Sequence, residues 1–282
     1  MRADRRAPIE RALLFLKDSP NVKELVKDTE EVLKAFGIES KKVINRKNFT
    51  RKLNLRNYDL VIVLGGDGTF LSAARLASRF GVPLVGINVG RFGFLTEIRR
   101  EEIKEVLPVV LSGEGKLKER MMIDVYLKRK NKLTYLGNYL NDAVVSKTNI
   151  SRIINLKVFA NGEEIVEVFG DGVILSTPTG STAYALSAGG PIVYPYSESF
   201  VFVPICPHTL SNRPLVLPAD FTVKFKILTK SEEAYLTLDG QVGKVLKNND
   251  EVIVRKSKYK CLVYEHPKLS FFQILRSKLR WG

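Results

Sequence analysis

The residues best placed by type and spacing to do chemistry begin with a lone acid in a glycine turn, Gly65-Gly66-Asp67-Gly68-Thr69. An apolar run ending Leu60-Val61-Ile62-Val63-Leu64 enters the turn, and helical spacing through Phe70, Leu71, Ala74 and Leu76 leaves it. Glycines let backbone N–H groups approach an anion closely, and the helix start adds unpaired donors and the positive end of its dipole. The junction therefore reads as a phosphate site. Asp67 is itself an anion, so its chemistry there is that of a metal ligand or of a base aimed at a hydroxyl. Phosphoryl transfer is the implied reaction. A tight turn with Asp67 as a helix cap fits the same five residues. Neither GxxxxGK[ST] nor GxGxxG occurs, so a P-loop kinase and the usual dinucleotide fingerprint are unsupported.

A second constellation runs from Asp171-Gly172 through Ser176-Thr177-Pro178-Thr179-Gly180-Ser181-Thr182-Ala183-Tyr184-Ala185-Leu186-Ser187 to Gly189-Gly190-Pro191. A strand enters a loop crowded with small hydroxylated residues, and a short helical stretch ends at the glycine pair. Capping accounts for two or three of the six Ser and Thr hydroxyls. Close approach of a flat or phosphorylated ligand accounts for the rest. Asn141-Asp142 interrupts the strand-like run Tyr139 to Val145, where an amide beside a carboxylate can grip a ribose diol or a carboxamide; a strand end or bulge is the plainer alternative. Asp239-Gly240-Gln241 reads as a hairpin turn.

The elements that must position these groups fall into two kinds. Residues 12–100 alternate strand and helix, which predicts a parallel sheet covered on both faces, with ligands gathering at the carboxyl ends of the strands. Ser19-Pro20 marks the start of an amphipathic helix that Gly37 stops, and Pro108 should kink or shorten a helix over 99–113. From about Lys116 the period changes to two, with strands at Met121–Lys128, Leu133–Val145, Leu156–Phe159, Glu164–Phe169, Val173–Ser176, Phe200–Pro204, Phe221–Leu228, Ala234–Asp239, Glu251–Arg255 and Lys260–Tyr264. Asn161-Gly162 is a strong two-residue hairpin signal. The fold class is α/β plus all-β: a Rossmann-like N-terminal α/β domain over 1–118, a β-sandwich-like domain over 119–268, and a helical tail over 269–282 that returns to the first domain.

The 282 residues carry a net charge of +15 in an otherwise ordinary globular composition, 45% hydrophobic and 27% charged. That charge suits nucleic acid, an anionic membrane or polyanionic small substrates such as nucleotides. Basic residues are spread along the chain without the aromatic interleaving of a single-strand groove. No apolar stretch suits a membrane span or a signal peptide, which leads to the expectation of a cytoplasmic protein. Cys206 and Cys261 lack metal-ligand spacing and read as packing residues, and His208 and His266 read as structural.

Taken together, in this order and at these separations, the segments resemble the NAD kinase family. Asn88-Val89-Gly90-Arg91-Phe92-Gly93-Phe94-Leu95 and Pro204-Ile205-Cys206-Pro207-His208-Thr209-Leu210-Ser211-Asn212-Arg213-Pro214 extend the likeness, which runs from the strand before Gly65 to about Gln241. The glycine turn is shared with phosphofructokinases and lipid kinases; the Thr177–Pro191 stretch is the specific part. The resemblance implies transfer of a phosphoryl group from ATP, or from polyphosphate, to the 2′-hydroxyl of the adenosine ribose of NAD, producing NADP. It implies Asp67 as the base and Gly68 as the point of close backbone approach to NAD. Asn141 and Asp142 would hold a ribose and its neighbours, Asp171 would meet the nicotinamide end, and Thr182, Ala183, Tyr184 and Ser187 would line the adenine pocket. Phe94, Arg152, Phe169, Thr179, Ala185, Leu186 and Gln241 complete the implied NAD site. A divalent metal ion, Mg by preference, is the implied cofactor, and a homodimer or homotetramer without nucleic-acid or membrane partners is the implied assembly. Asp142 stands where many relatives carry glutamate. Phe169 stands where relatives vary in a way linked to choosing NAD or NADH, so that choice stays open. The rival readings are a lipid kinase of the diacylglycerol or sphingosine type, sharing the turn, and a basic nucleic-acid-binding protein.

Overall fold

The continuous apolar runs near the start of the chain become strands buried on both faces. A computed structural model describes residues 8–46, 53–90, 93–148, 153–209, 211–229 and 234–280. It divides into two compact units, Met1–Glu119 with Cys261–Gly282, and Arg120–Lys260. Residues 261–268, read from sequence with the β-rich domain, thus group with the first unit.

In the first unit β1 (Arg11–Leu16), β2 (Glu39–Ile44), β3 (Leu60–Gly65) and β4 (Leu84–Asn88) pair in parallel in the order β2-β1-β3-β4. Parallel strands need crossover helices, and these are α1 (Lys23–Ala35) and α2 (Asp67–Ala77), with α3 (Ile103–Leu111) following β4. One sheet face, with Leu14, Ile62 and Val85, shares a core with Leu25, Val32 and Leu33 of α1 and Ile103, Leu107 and Val110 of α3. Helix α2 packs on β3, β4 and β1 through a separate buried set, Phe70, Ala73 and Ala74. Gly37, at φ +68°, ends α1 in the left-handed conformation that only glycine adopts cheaply.

Of the two expected effects of Pro108, the early end needs correcting, because α3 runs on to Leu111 with Pro108 inside it. Its cost is about 3 kcal/mol. Val106, Leu107, Val110 and Leu111, buried on either side of Pro108, offset it.

The second unit begins within β5 (Lys116–Arg129) and ends within the last strand, β16 (Glu251–Glu265). Between them lie β6 (Lys132–Tyr139), β7 (Asp142–Lys147), β8 (Ile154–Ala160), β9 (Glu163–Gly170), β10 (Gly172–Ser176), the short α4 (Tyr184–Ser187), β11 (Ser199–Ile205), β12 (Leu215–Pro218), β13 (Val223–Ile227), β14 (Ala234–Leu238) and β15 (Val242–Leu246). Strands β16-β13-β8-β9 pair antiparallel, with the β5-β6 hairpin beside them; β12-β11-β10-β7-β14-β15 form a second antiparallel sheet. Val158, Phe225 and Val252 of the one and Val145, Leu175 and Phe202 of the other share a core, as expected of a sandwich. Asn161-Gly162 makes the β8–β9 turn with both residues at positive φ. The last helix, α5 (Phe271–Leu279), opens on a reciprocal capping pair between Ser270 and Gln273 and belongs to the first unit.

Three strand expectations change. The single strand over Leu133–Val145 breaks at Leu140-Asn141, and the two over 251–264 are one. Strands β12 and β15 are additions to the expected set: they are sheet edges with one buried residue each, so no buried alternation marks them.

Arg129 closes one end of the sandwich, with Nε and Nη2 donating to the two oxygens of Asp250 at 2.9 and 2.6 Å. Asp250 is 1% exposed. Replacing Arg129 by alanine strands that carboxylate and is expected to lower the unfolding free energy by about 3 kcal/mol. Urea denaturation followed by circular dichroism checks this. A loss below about 1 kcal/mol would show that the pair behaves as a surface ion pair.

Candidate active site

Asp67 is the first residue of α2, after an extended Gly66. An acid there complements the helix dipole. Its carboxylate is turned toward the segment that follows β4. Oδ2 accepts from the N–H of Phe94 at 2.9 Å, while Oδ1 accepts from the N–H of Leu95 and of Thr96, both at 3.1 Å, and from the Thr96 hydroxyl at 3.0 Å. That hydroxyl in turn accepts from the Asn88 amide at 2.8 Å. Asn88 lies opposite Gly65 in the β3–β4 register, so the side chain that fixes the Thr96 hydroxyl is placed by the sheet itself. Among the described residues, then, Oδ1 is saturated and Oδ2 keeps a lone pair. Gly93 makes this possible, since a Cβ there would lie 2.0 Å from Asp67 Oδ1. Gly68 is exposed, and the Phe94 ring has the Lys278 ammonium of α5 5.9 Å from its centroid.

In the second unit the polar residues meet at one end of the second sheet. Asp142 opens β7 directly across from Ser176, which closes β10. Thr177 donates its N–H to the Asn141 carbonyl at 2.8 Å and its hydroxyl to the Leu140 carbonyl at 2.6 Å, clamping the hydroxylated loop onto the break between β6 and β7. A Cβ on Gly180 would lie 2.3 Å from the Asn141 carbonyl oxygen, so only glycine lets the loop come this close. Ser176, Ser181 and Thr182 likewise give their hydroxyls to backbone carbonyls. Capping and loop bracing therefore absorb more of these hydroxyls than the sequence suggested. Two buried polar atoms here lack a hydrogen-bond partner, Asn141 Oδ1 and Thr179 Oγ1. Unmet groups of this kind call for a partner, whether a water, an ion or a ligand.

Asp142 is buried, and its carboxyl is pushed up to about 7, first by burial and then by the charge of Asp239. Asp239 is the residue that sequence reasoning missed. Its turn between β14 and β15 has Asp239 and Gly240 both at positive φ, as the Asp-Gly pair led one to expect. Its carboxylate, however, is buried and accepts from the N–H of Leu140, Asn141 and Asp142. Nothing local in an Asp-Gly pair signals that use. Asn88 and Thr96 were missed for the same reason: their role appears only once β4 lies beside β3.

The other expected site residues divide by environment. Asp171 forms an ion pair with Lys147 at 2.6 Å. The Ala185 methyl is packed against Val144, Ile174, Val201 and Val203, while Tyr184, Ser187, Gln241 and Phe169 are exposed. Ala183 and Leu186 are half-buried beside them. Arg152 lies outside the described residues.

A parallel α/β unit with an acid at a strand–helix turn, followed by an antiparallel sandwich with a clamped polar loop, defines a class of phosphotransferase. Residues 9–115 match the ATP-NAD kinase N-terminal domain and residues 140–266 the ATP-NAD kinase C-terminal domain. The chain is 66% identical over 274 residues to the NAD kinase of Aquifex aeolicus, covering 97% of this chain and 100% of that protein. It is 44% identical over 224 residues to the NAD kinase of Geobacter metallireducens, covering 79% of each. Yeast NADH kinase, solved with NADH, superposes with a TM-score of 0.86 at 26% identity, covering 98% of this chain and 89% of that one. An NAD kinase from Archaeoglobus fulgidus, solved with ATP, does so at 0.77 and 28%, covering 96% and 100%. The chain belongs to the NAD kinase family. It is an NAD kinase by activity, transferring a phosphoryl group of ATP to the 2′-hydroxyl of the adenosine ribose of NAD to give NADP.

Gly93→Ala drives a methyl into the space of Asp67 Oδ1 and should displace the carboxylate by about 1 Å, lowering kcat about hundredfold. Assay of NADP formation, with the melting temperature as a check on folding, tests this; a folded variant with wild-type kcat would show that the carboxylate position is unimportant.

Proposed function

We propose that Asp67 is the base of the reaction and acts through Oδ2. A secondary alcohol is a poor nucleophile, so the 2′-hydroxyl needs a fixed acceptor for its proton as its oxygen attacks the γ-phosphorus. The P–O bond to the leaving ADP breaks with its electron pair, and the proton passes to Asp67. The observation that carries this reading is the unequal loading of the carboxylate: one oxygen held by two backbone N–H groups and a hydroxyl, the other by one N–H group. The held oxygen fixes orientation, and the other is available to a substrate hydroxyl.

Asn141 and Asp142 hold the dinucleotide through its ribose, with Thr179 adding a hydroxyl. The orphaned Asn141 and Thr179 oxygens and the buried Asp142 carboxyl support this. The basic chain suits a substrate and a donor that both carry phosphates.

A divalent cation, with Mg the natural choice for phosphate oxygens, neutralises donor charge when bound. Among the described residues no group of three or more His, Cys, Asp or Glu side chains is arranged to hold a metal ion. In the proposed reading the cation arrives with the donor phosphates, and Asp67 is the carboxylate at the phosphate turn. No helix among the described residues is long and apolar enough to cross a membrane; a cytoplasmic location is part of the proposal. A homo-oligomeric assembly without nucleic-acid or membrane partners completes it.

With Asp67→Asn, kcat for NADP formation should fall by about 10² to 10⁴ while the KM for NAD stays near wild type. Unchanged kcat would remove the base assignment. Asn141→Ala should do the converse, raising the KM for NAD about tenfold with little change in kcat, and an unchanged KM would remove Asn141 from the NAD site.

A further inference from the structure

Asp239, the first residue of the β14–β15 turn, directly follows the Leu238–Ala143 pair, and its N–H meets the carbonyl of Asp142, which opens β7. Two carboxyl groups brought this close repel each other when both are ionised. The turn does not require an acid, because asparagine suits the first position of an Asx-Gly turn at least as well and carries no charge. The break between β6 and β7 is what requires it. There the N–H groups of Leu140 and Asn141 point at Asp239 Oδ2 and Oδ1 at 3.2 and 2.8 Å, and that of Asp142 lies 3.4 Å from Oδ1. Only a carboxylate offers two acceptor atoms to this fan of donors; an asparagine would turn its own NH₂ onto one of them. The Asp239 N–H closes the arrangement by donating to the Asp142 carbonyl at 3.1 Å.

We propose that Asp239 is a positioning residue for dinucleotide recognition: its carboxylate holds the Leu140–Asp142 break open and so presents the Asn141 carboxamide and the Asp142 carboxyl to the ribose hydroxyls. The proposal rests on the reading that Asn141 and Asp142 hold the dinucleotide. It has a consequence that a purely structural brace would lack. Burial, and after it the nearby Asp239 carboxylate, push the Asp142 carboxyl up to about 7, so Asp142 gains a proton as pH falls through neutrality. A ribose diol donates to an ionised carboxylate. NAD therefore binds more tightly as pH rises through neutrality, and binding releases a proton.

The test compares kcat and KM for NAD across pH in the wild type, Asp239→Asn and Asp142→Asn. The Asp239→Asn variant is expected to raise KM about tenfold with little change in kcat, through one lost acceptor. It should also move the acid limb of kcat/KM to lower pH, because the like charge beside Asp142 is gone. Asp142→Asn should abolish that limb. An Asp239→Asn enzyme with wild-type KM and an unmoved limb, alongside an Asp142→Asn enzyme that has lost the limb, overturns the positioning role and leaves the NAD site standing. Wild-type KM and limb in Asp142→Asn overturn both. Should Asp239→Asn not fold, calorimetry of NAD binding to the wild-type enzyme just below neutral pH, in buffers of different ionisation enthalpy, decides: proton release supports the proposal, and its absence overturns it.

Discussion

A carboxylate held by the backbone of a neighbouring loop is the constraint on which the chemistry proposed for the first unit depends. The β3–α2 turn presents Asp67, and the N–H groups of Phe94, Leu95 and Thr96 take hold of it. Charge-assisted hydrogen bonds of this kind are stronger than neutral ones. The reach is set by parallel pairing: Asn88 closes β4 beside the end of β3, orders the Thr96 hydroxyl, and leaves Gly93 as the residue that can pass the acid without a clash. Move any of these and the acid loses its aim. The apolar runs that bury β3 and β4 on both faces are thus what holds the Asp67 carboxylate in place.

The second unit solves a related problem with a carboxylate on a turn. A strand that ran unbroken from β6 into β7 would spend its N–H groups on a neighbour. Breaking it at Leu140-Asn141 exposes donors that burial makes costly, and Asp239 satisfies them. The hydroxylated loop then clamps onto the carbonyls of the same break through Thr177. Both sides of one short backbone segment are therefore tied down, and the Asn141 amide oxygen is left over, buried and unmet. In the proposed dinucleotide site, such preorganisation would lower the ordering cost of binding.

How much of this the sequence discloses depends on whether a role is local. The glycine turn, the apolar run before it, the helix stop at Gly37 and the Asn161-Gly162 hairpin are short-range signals, and each appears in the structure where the residues place it. The polar pair inside the Tyr139–Val145 run is visible as an interruption, and the strand end that is its plainer reading is what the structure shows. Roles that need distant partners were invisible: Asp239 lies 97 residues from Asp142, and Thr96 lies 29 from Asp67. Edge strands β12 and β15 escaped because exposed edges carry no buried alternation. Pro108 misled because propensity weighs a residue alone, whereas α3 is held by the core on both sides of it. The hydroxyl-rich loop was read for what might touch it, and most of its hydroxyls turn inward to brace it.

The most direct measurement is a crystal structure of the enzyme with NAD bound, at a resolution that separates the two oxygens of Asp67. The expected result is the adenosine ribose 2′-hydroxyl about 2.7 Å from Oδ2, with Leu95 and Thr96 still donating to Oδ1. A 2′-hydroxyl held by some other group, with Asp67 still turned wholly to its loop, would contradict the assignment of that carboxylate as the base.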